Sequence, residues 1–137
     1  MNSFSLSQSI KAVLTGALFI IIASLAMKVA YVFLASVYHN ISINYPFLNE
    51  VNVFFRYLLA IPVFILIMFI GGYLTAGIAR RKTILHSFIV GVVTSILMMI
   101  VATSSAAGIT TTNLITYLVM MLSTTAGGFY WKRKATS

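Results

Sequence analysis

The stretch that decides the fold is Gly71 to His86, which reads GGYLTAGIARRKTILH. It joins two apolar runs through three consecutive cations, Arg80, Arg81 and Lys82. Short basic segments beside apolar runs are typical of the cytoplasmic loops of membrane proteins. This stretch therefore predicts two membrane spans joined by a tight turn, and it predicts the side of the membrane on which they turn.

Composition assigns the chain to the integral membrane proteins. Of its 137 residues, 61% are hydrophobic and 7% are charged, whereas a soluble domain has about 25% charged residues. The net charge of +8 comes from short clusters next to apolar runs. The positive-inside rule accounts for such clusters, and without a basic face or an aromatic-lined groove we expect no nucleic-acid partner.

Four spans are predicted, and one longer loop separates the first two. They lie at about residues 12–37, 56–79, 84–103 and 114–131, with the outer loop at 38–55. Only a few residues separate the second span from the third, so these two must form an antiparallel hairpin. The predicted fold class is an all-α membrane protein, a bundle of four transmembrane helices in two antiparallel hairpins, with residues 1–137 as a single domain.

The start of the chain leaves one alternative open. Lys11, the apolar run that follows it and the small residues near Ala26 are also compatible with a signal peptide cleaved after residues 1–26. The apolar character continues to Val37, which favours a retained helix.

Basic residues predict the orientation. Lys11, Arg80–Lys82 and Lys132–Lys134 all fall on one side of the four predicted spans. The opposite loops hold Arg56 and the only acidic residue, Glu50. The positive-inside rule then places both termini in the cytoplasm. The residues that set this topology are Arg80, Arg81, Lys82, Lys132, Arg133 and Lys134.

Small residues recur at helical spacing and predict where helices pack closely. Gly72 and Ala76 share one face of the second span, and Ser87, Gly91 and Ser95 share one face of the third. We expect the two faces to meet, with Ser87 or Ser95 donating a hydrogen bond across them. The complete set of predicted packing positions is Gly71, Gly72, Ala76, Gly77, Ser87, Gly91, Ser95, Gly127 and Gly128.

Three residues are candidates for a functional role: Lys28, Glu50 and His86. Lys28 follows Lys11 by about 25 Å of helix, near the outer boundary of an apolar core about 30 Å thick. It either extends its ammonium to the headgroups or faces a pathway or Glu50. His86 is read as an interfacial residue at a helix start, although the titration range of histidine would also suit a switch.

The sequence predicts no enzyme, no cofactor and no metal site. Glu50 lies in the predicted outer loop, and His39 and His86 fall on opposite sides, so neither a buried carboxylate nor a histidine pair is available. No serine or threonine has a plausible activating base. The pairs Met98–Met99 and Met120–Met121 could bind copper, but adaptable packing is the usual role of methionine.

The pattern around the basic turn also carries a family resemblance. The residues Gly71-Gly72-Tyr73-x-x-Ala76-x-x-Ala79-Arg80, followed by His86 and Gly91, resemble small four-span bacterial inner-membrane proteins that are generally uncharacterised. The resemblance covers about the middle third of the chain. It implies a four-helix bundle in the bacterial cytoplasmic membrane, and it implies no activity.

The predicted function is a structural or accessory role through helix–helix contacts, in a homo-oligomer or beside a larger membrane complex. This prediction depends on the small-residue positions, which are more numerous than one four-helix bundle needs. The alternative is a transporter or channel subunit for a neutral or anionic small solute, with Lys28 lining the path. A third possibility is a pore-forming, holin-like protein.

Overall fold

The computed structural model contains four α-helices. It describes the backbone of residues 3–45, 47–79, 82–104 and 111–137, and within these ranges the side chains of all but residues 3–6, 48–57 and 102–104. The helices are α1 (Ser3–Asn44), α2 (Leu48–Ala79), α3 (Thr83–Ser104) and α4 (Thr111–Ala135). The prediction of an all-helical chain is confirmed over the described residues.

Three of these helices contain stretches long and apolar enough to cross a membrane. Within the described residues they are Ser7–Asn44, Leu58–Ala79 and Thr83–Val101. Together they indicate a membrane protein built as a helical bundle. The fourth predicted span, in α4, does not reach the same hydropathy, because that helix begins with Thr111, Thr112 and Asn113 and carries hydroxyls in its middle.

The connection between α1 and α2 differs from the predicted loop at 38–55. Helix α1 continues through Tyr38 to Asn44, and α2 already begins at Leu48, so most of the expected loop is helical. No glycine or proline interrupts residues 38–45, and Pro46 is the first helix-breaking residue. A residue before proline is disfavoured in the helical conformation, and α1 accordingly ends before Tyr45.

The order of the helices in space follows from their contacts. Helices α2 and α3 each pack against all three others, whereas the described backbones of α1 and α4 do not come close to one another. Helices α1 and α4 therefore lie on opposite sides of the α2–α3 pair. The buried core cluster takes one side chain from each helix: Ile20, Met68, Val90 and Met120.

Hydroxyl groups form an unusual share of the buried interior. Thr75, Thr94 and Thr124 are at most 1% exposed. Each donates a hydrogen bond to the carbonyl four residues earlier in its own helix, at 2.8, 2.8 and 2.9 Å respectively. These polar groups are therefore satisfied without water, as a low-dielectric interior requires, and their small side chains let the helices approach.

Candidate functional site

A close approach of two backbones lies between α2 and α4. A Cβ atom added at Gly72 would overlap the carbonyl oxygen of Thr124 and lie 2.8 Å from its Cα. A Cβ atom at Gly127 would overlap the carbonyl oxygen of Phe69 and lie 2.9 Å from the amide nitrogen of Tyr73. Backbone atoms cannot move aside as a side chain can, so only glycine fits at these two positions. We call this contact the glycine seam.

Aromatic side chains close the glycine seam at one end. The ring of Tyr130 on α4 lies 5.8 Å from that of Phe69 and 6.2 Å from that of Tyr73, measured between centroids. The indole Nε1 of Trp131 lies 3.1 Å from the place a Cβ would take at Gly77. Ring contacts at such separations add to apolar burial, so the seam is both closely packed and covered.

Helix α3 packs against both partners of the seam through small residues. The hydroxyl of Ser87 donates to the carbonyl of Gly72 on α2 at 2.8 Å and to that of Thr83 at 3.1 Å. A Cβ at Gly128 on α4 would lie 2.6 Å from the Cβ of Ser87. Ser87 thus forms the predicted hydrogen bond between the second and third spans, at the point where three helices meet.

The other two residues of the predicted stripe on α3, Gly91 and Ser95, contact α4. Gly91 lies against α4, where an added Cβ would be 3.0 Å from the Cα of Met121. The Ser95 hydroxyl lies 3.5 Å from the carbonyl oxygen of Tyr117, also on α4. Residues four apart in an α-helix differ by about 40° in direction. The stripe that starts toward α2 at Ser87 therefore turns toward α4 within two steps.

Helix α1 reaches α2 through a smaller set of contacts. A Cβ at Gly16 would overlap the Thr75 hydroxyl, and a Cβ at Gly71 would lie 2.6 Å from the Cδ1 of Ile20. The Gln8 side-chain amide donates to the carbonyl of Ile78 at 3.4 Å. Gly71 and Gly72 are adjacent but face different helices, α1 and α4.

The small residues are used for packing inside one chain. All seven glycines whose surroundings the structure describes contact a neighbouring helix of the same chain, and Ala76 is fully buried. Gly108 lies outside the described residues. The described glycines therefore serve three helix pairs of one bundle, α1–α2, α2–α4 and α3–α4, and α4 uses them against two neighbours; the interpretation that these positions exceed the needs of one bundle stays a prediction.

His86 has a structural position at the start of α3. It is 8% exposed, and its Nδ1 lies 2.9 Å from the carbonyl oxygen of Lys82. The His86 backbone N–H donates to the same oxygen at 3.1 Å. Lys82 itself has φ of 47°, a left-handed conformation typical of tight turns, so the imidazole and the amide together hold this turn.

The other two candidate residues are Lys28 and Glu50, and the structure describes the side chain of Lys28 only. Lys28 is exposed on α1, as an ammonium among headgroups would be. Glu50 lies in the first turn of α2, but its side chain is outside the described residues, so a Lys28–Glu50 pair stays a prediction. The solute path lined by Lys28 likewise stays a prediction.

The described basic residues that predict topology share one end of the bundle. Lys82 and Lys132 line the same surface groove, between the start of α3 and the end of α4. Lys132, Arg133 and Lys134 are exposed in the last turn of α4. Arg80 and Arg81 lie outside the described residues. Lys82 and the cluster at the end of α4, which are far apart in sequence, thus contribute to one basic surface.

Methionines of both pairs pack in the core of the described part of the chain, and this packing accounts for their positions. No three His, Cys, Asp or Glu side chains come together in that part of the chain. Met120 is buried in the core beside Met68, and Met98 packs against the same cluster. The sequence reasoning missed the central position of Thr124, although Met120, Thr124 and Gly128 follow the same four-residue spacing as the stripes that were recognised.

No family model, curated protein or solved structure matches this chain. The resemblance to small four-span bacterial inner-membrane proteins stays a prediction.

Proposed function

We propose that this chain is a structural or accessory protein of the bacterial inner membrane, acting through helix contacts with further copies or with a larger membrane complex. The observation that carries the proposal is the exposure of α1. It is the least buried of the three membrane-length helices, and the apolar side chains of Val29, Phe33 and Ile43 are 65%, 68% and 67% exposed.

Contact with lipid does not account for all of the exposed side chains of α1, because this helix is longer than the bilayer core is thick. The described membrane-length stretch of α1, Ser7–Asn44, has 38 residues, which correspond to about 57 Å of helix, whereas the apolar core of a bilayer is about 30 Å thick. Tilting reduces the mismatch but does not remove it. We therefore infer that the exposed side chains in the outer half of α1 contact another protein chain.

A fourth span and cytoplasmic termini complete the proposed topology. Helix α4 has 25 residues, about 37 Å of helix, enough for one crossing. Its low hydropathy comes from the polar residues at its two ends and from small or hydroxyl-bearing residues in its middle, and of the latter Thr124, Gly127 and Gly128 face α2 and α3. Its outward side chains are apolar and more than half exposed: Leu114, Ile115, Leu118 and Leu122. The shared basic end supports orientation by the positive-inside rule.

Site-specific cross-linking tests the proposed helix contacts. The chain has no cysteine, so single substitutions Phe33→Cys and Ile43→Cys can be labelled with a photoactivatable maleimide in native membranes. We expect both to form cross-linked species, because these side chains lie on the uncovered part of α1. A product of twice the chain mass identifies a homo-oligomer, and a larger product identifies a different protein.

The matched control is Leu122→Cys, since Leu122 is 70% exposed on the outer face of α4. Cross-linking from residue 122 measures the background yield with lipid and with unrelated proteins, at a similar labelling efficiency. Yields at residues 33 and 43 that do not exceed the yield at 122 would contradict the accessory role.

Reporter fusions test the topology. A cytoplasm-specific fluorescent reporter fused after Ser137 should be active, and alkaline phosphatase inserted within residues 105–110 should be active on the outer side. Both expectations follow from the basic clusters at one end of the bundle. Activity of alkaline phosphatase after Ser137 would show that α4 does not cross, or that the whole orientation is inverted. The insertion within 105–110 distinguishes these two outcomes.

A further inference from the structure

An open groove lies at the basic end of the bundle, between the first turns of α3 and the last turns of α4. Its volume is about 790 Å³, within the usual range for small-molecule sites. The residues that define its character are Lys82, Leu85, Phe88, Trp131, Lys132 and Thr136. It therefore combines two cations and a hydroxyl with an apolar wall.

The two lysines of the groove have no acidic side chain in the chain to neutralise them. The only acidic residue is Glu50, in the first turn of α2, whereas Lys82 follows the last turn of that helix. The length of helix between them is about 45 Å at 1.5 Å per residue, far beyond a Debye length of about 8 Å. The groove therefore carries an uncompensated positive charge that favours an anion.

The apolar wall indicates what kind of anion fits. Leu85 is 50% exposed and Phe88 is 44% exposed, and both line the groove at the start of a helix apolar enough to cross a membrane. A free phosphate ion would gain nothing from these side chains. A phospholipid would place its phosphate at the lysines and its acyl chain along the apolar residues.

The indole of Trp131 lines the groove and packs against Gly77 of α2 on its other side. Its Nε1 lies 3.1 Å from the place of a Cβ at Gly77 on α2, so the ring fills the space that this glycine leaves. Indoles are enriched at the level of lipid headgroups. Helices α2, α3 and α4 thus shape a site beside which an indole would lie at the level of lipid headgroups.

The geometry points to a binding site for the headgroup of an anionic phospholipid. The phosphate binds between Lys82 and Lys132, and the acyl chain lies on Leu85 and Phe88. Basic pockets between transmembrane helices bind anionic headgroups in this manner. The inference depends on the membrane location of the chain, and it is independent of the proposed accessory role.

Trp131 provides the measurement, because it is the only tryptophan in the chain. The full-length protein is reconstituted into phosphatidylcholine vesicles that contain a minor fraction of brominated lipid, either phosphatidylglycerol or phosphatidylcholine. Bromine quenches a neighbouring indole. We expect brominated phosphatidylglycerol to quench Trp131 more strongly than brominated phosphatidylcholine at the same fraction, since the groove concentrates the anionic lipid beside the indole.

Two substitutions test the lysines, and one serves as a control. Lys82→Asn keeps a residue that tolerates positive φ, and Lys132→Gln keeps the length of the side chain. Each should lower the preference for the anionic lipid about fivefold. Lys134→Gln removes the same charge from an exposed residue that does not line the groove, and it should leave the preference almost unchanged. Far-UV circular dichroism checks that all variants remain folded.

Three results would overturn the inference. Equal quenching by the two brominated lipids would show that the groove does not select an anion. An equal effect of Lys134→Gln would show a general surface attraction without a site. Loss of the preference on adding millimolar glycerol 3-phosphate, which lacks acyl chains, would show that the groove binds a free phosphate ester and not a lipid.

Discussion

Replacing Gly72 with alanine is expected to destabilise the folded bundle by about 1–3 kcal/mol, the usual cost of overpacking a closely packed interior. The new Cβ would overlap the Thr124 carbonyl oxygen on α4, and a backbone atom cannot turn away as a side chain does. Helices α2 and α4 would have to separate along the glycine seam. Unfolding of the detergent-solubilised protein by added sodium dodecyl sulfate, followed by circular dichroism, measures the loss.

The neighbouring residue provides the control. In Gly71→Ala the added Cβ overlaps Cγ1 of the Ile20 side chain on α1 and lies 2.6 Å from its Cδ1, and a side chain can shift where a backbone carbonyl cannot. Alanine also gains up to about 1 kcal/mol over glycine in a helix interior. We therefore expect Gly71→Ala to cost clearly less stability than Gly72→Ala. A loss as large as that of Gly72→Ala would contradict the distinction between the two glycines.

A second substitution on the opposite side of the seam should behave like the first. In Gly127→Ala the added Cβ meets the Phe69 carbonyl oxygen. Once the helices have separated to accept one methyl group, the second costs less. The combined Gly72→Ala and Gly127→Ala variant should then lose less stability than the sum of the two single variants, as is expected for residues in one contact.

Thr124→Leu is expected to have the second largest effect, again a loss of about 1–3 kcal/mol from overpacking. Thr124 is fully buried and lies between two glycines, Gly72 on α2 and Gly91 on α3. Its backbone faces Gly72 and its side chain faces Gly91, so a larger side chain would push α4 away from α3 and disturb the glycine seam beside it. The same unfolding measurement applies, and loss of α4 packing should also expose Trp131 to a water-soluble quencher.

The comparison variant for this site is Thr124→Val, which keeps the volume and removes the hydroxyl. That hydroxyl donates only to the carbonyls of Met120 and Met121 in its own helix. Its removal frees no donor on a neighbouring helix, so we expect a loss below about 1 kcal/mol. An effect of Thr124→Val equal to that of Thr124→Leu would show that the hydrogen bond, and not the available space, determines packing here.

The distribution of hydroxyl groups explains why hydropathy alone describes α4 incompletely. Thr124 and Gly128 lower the mean hydropathy of the helix, but they face α2 and α3, where a small side chain allows close approach. Leu118 and Leu122 face outward. Averaging over the helix removes this difference between its two sides, which only the packing partners reveal.

Sequence reasoning succeeded where the relevant physics is local. Hydropathy and length predicted three helices that the structure also contains, and Arg80–Lys82 marked the tight turn between two of them. It failed at residues 38–44, where polar asparagines suggested a loop although nothing before Pro46 interrupts a helix. Hydrogen bonds within a helix form whether its side chains are polar or apolar, so polarity alone does not end one.

The sequence by itself determined the class of the protein, because the transfer of apolar side chains out of water depends on composition and run length and not on partners. It also determined the short connection between α2 and α3, with the glycines ahead of the cations and within a span. The tertiary structure decided which helix each small residue contacts. Gly71 and Gly72 are adjacent in sequence, yet one faces α1 and the other α4, because successive residues of an α-helix point about 100° apart.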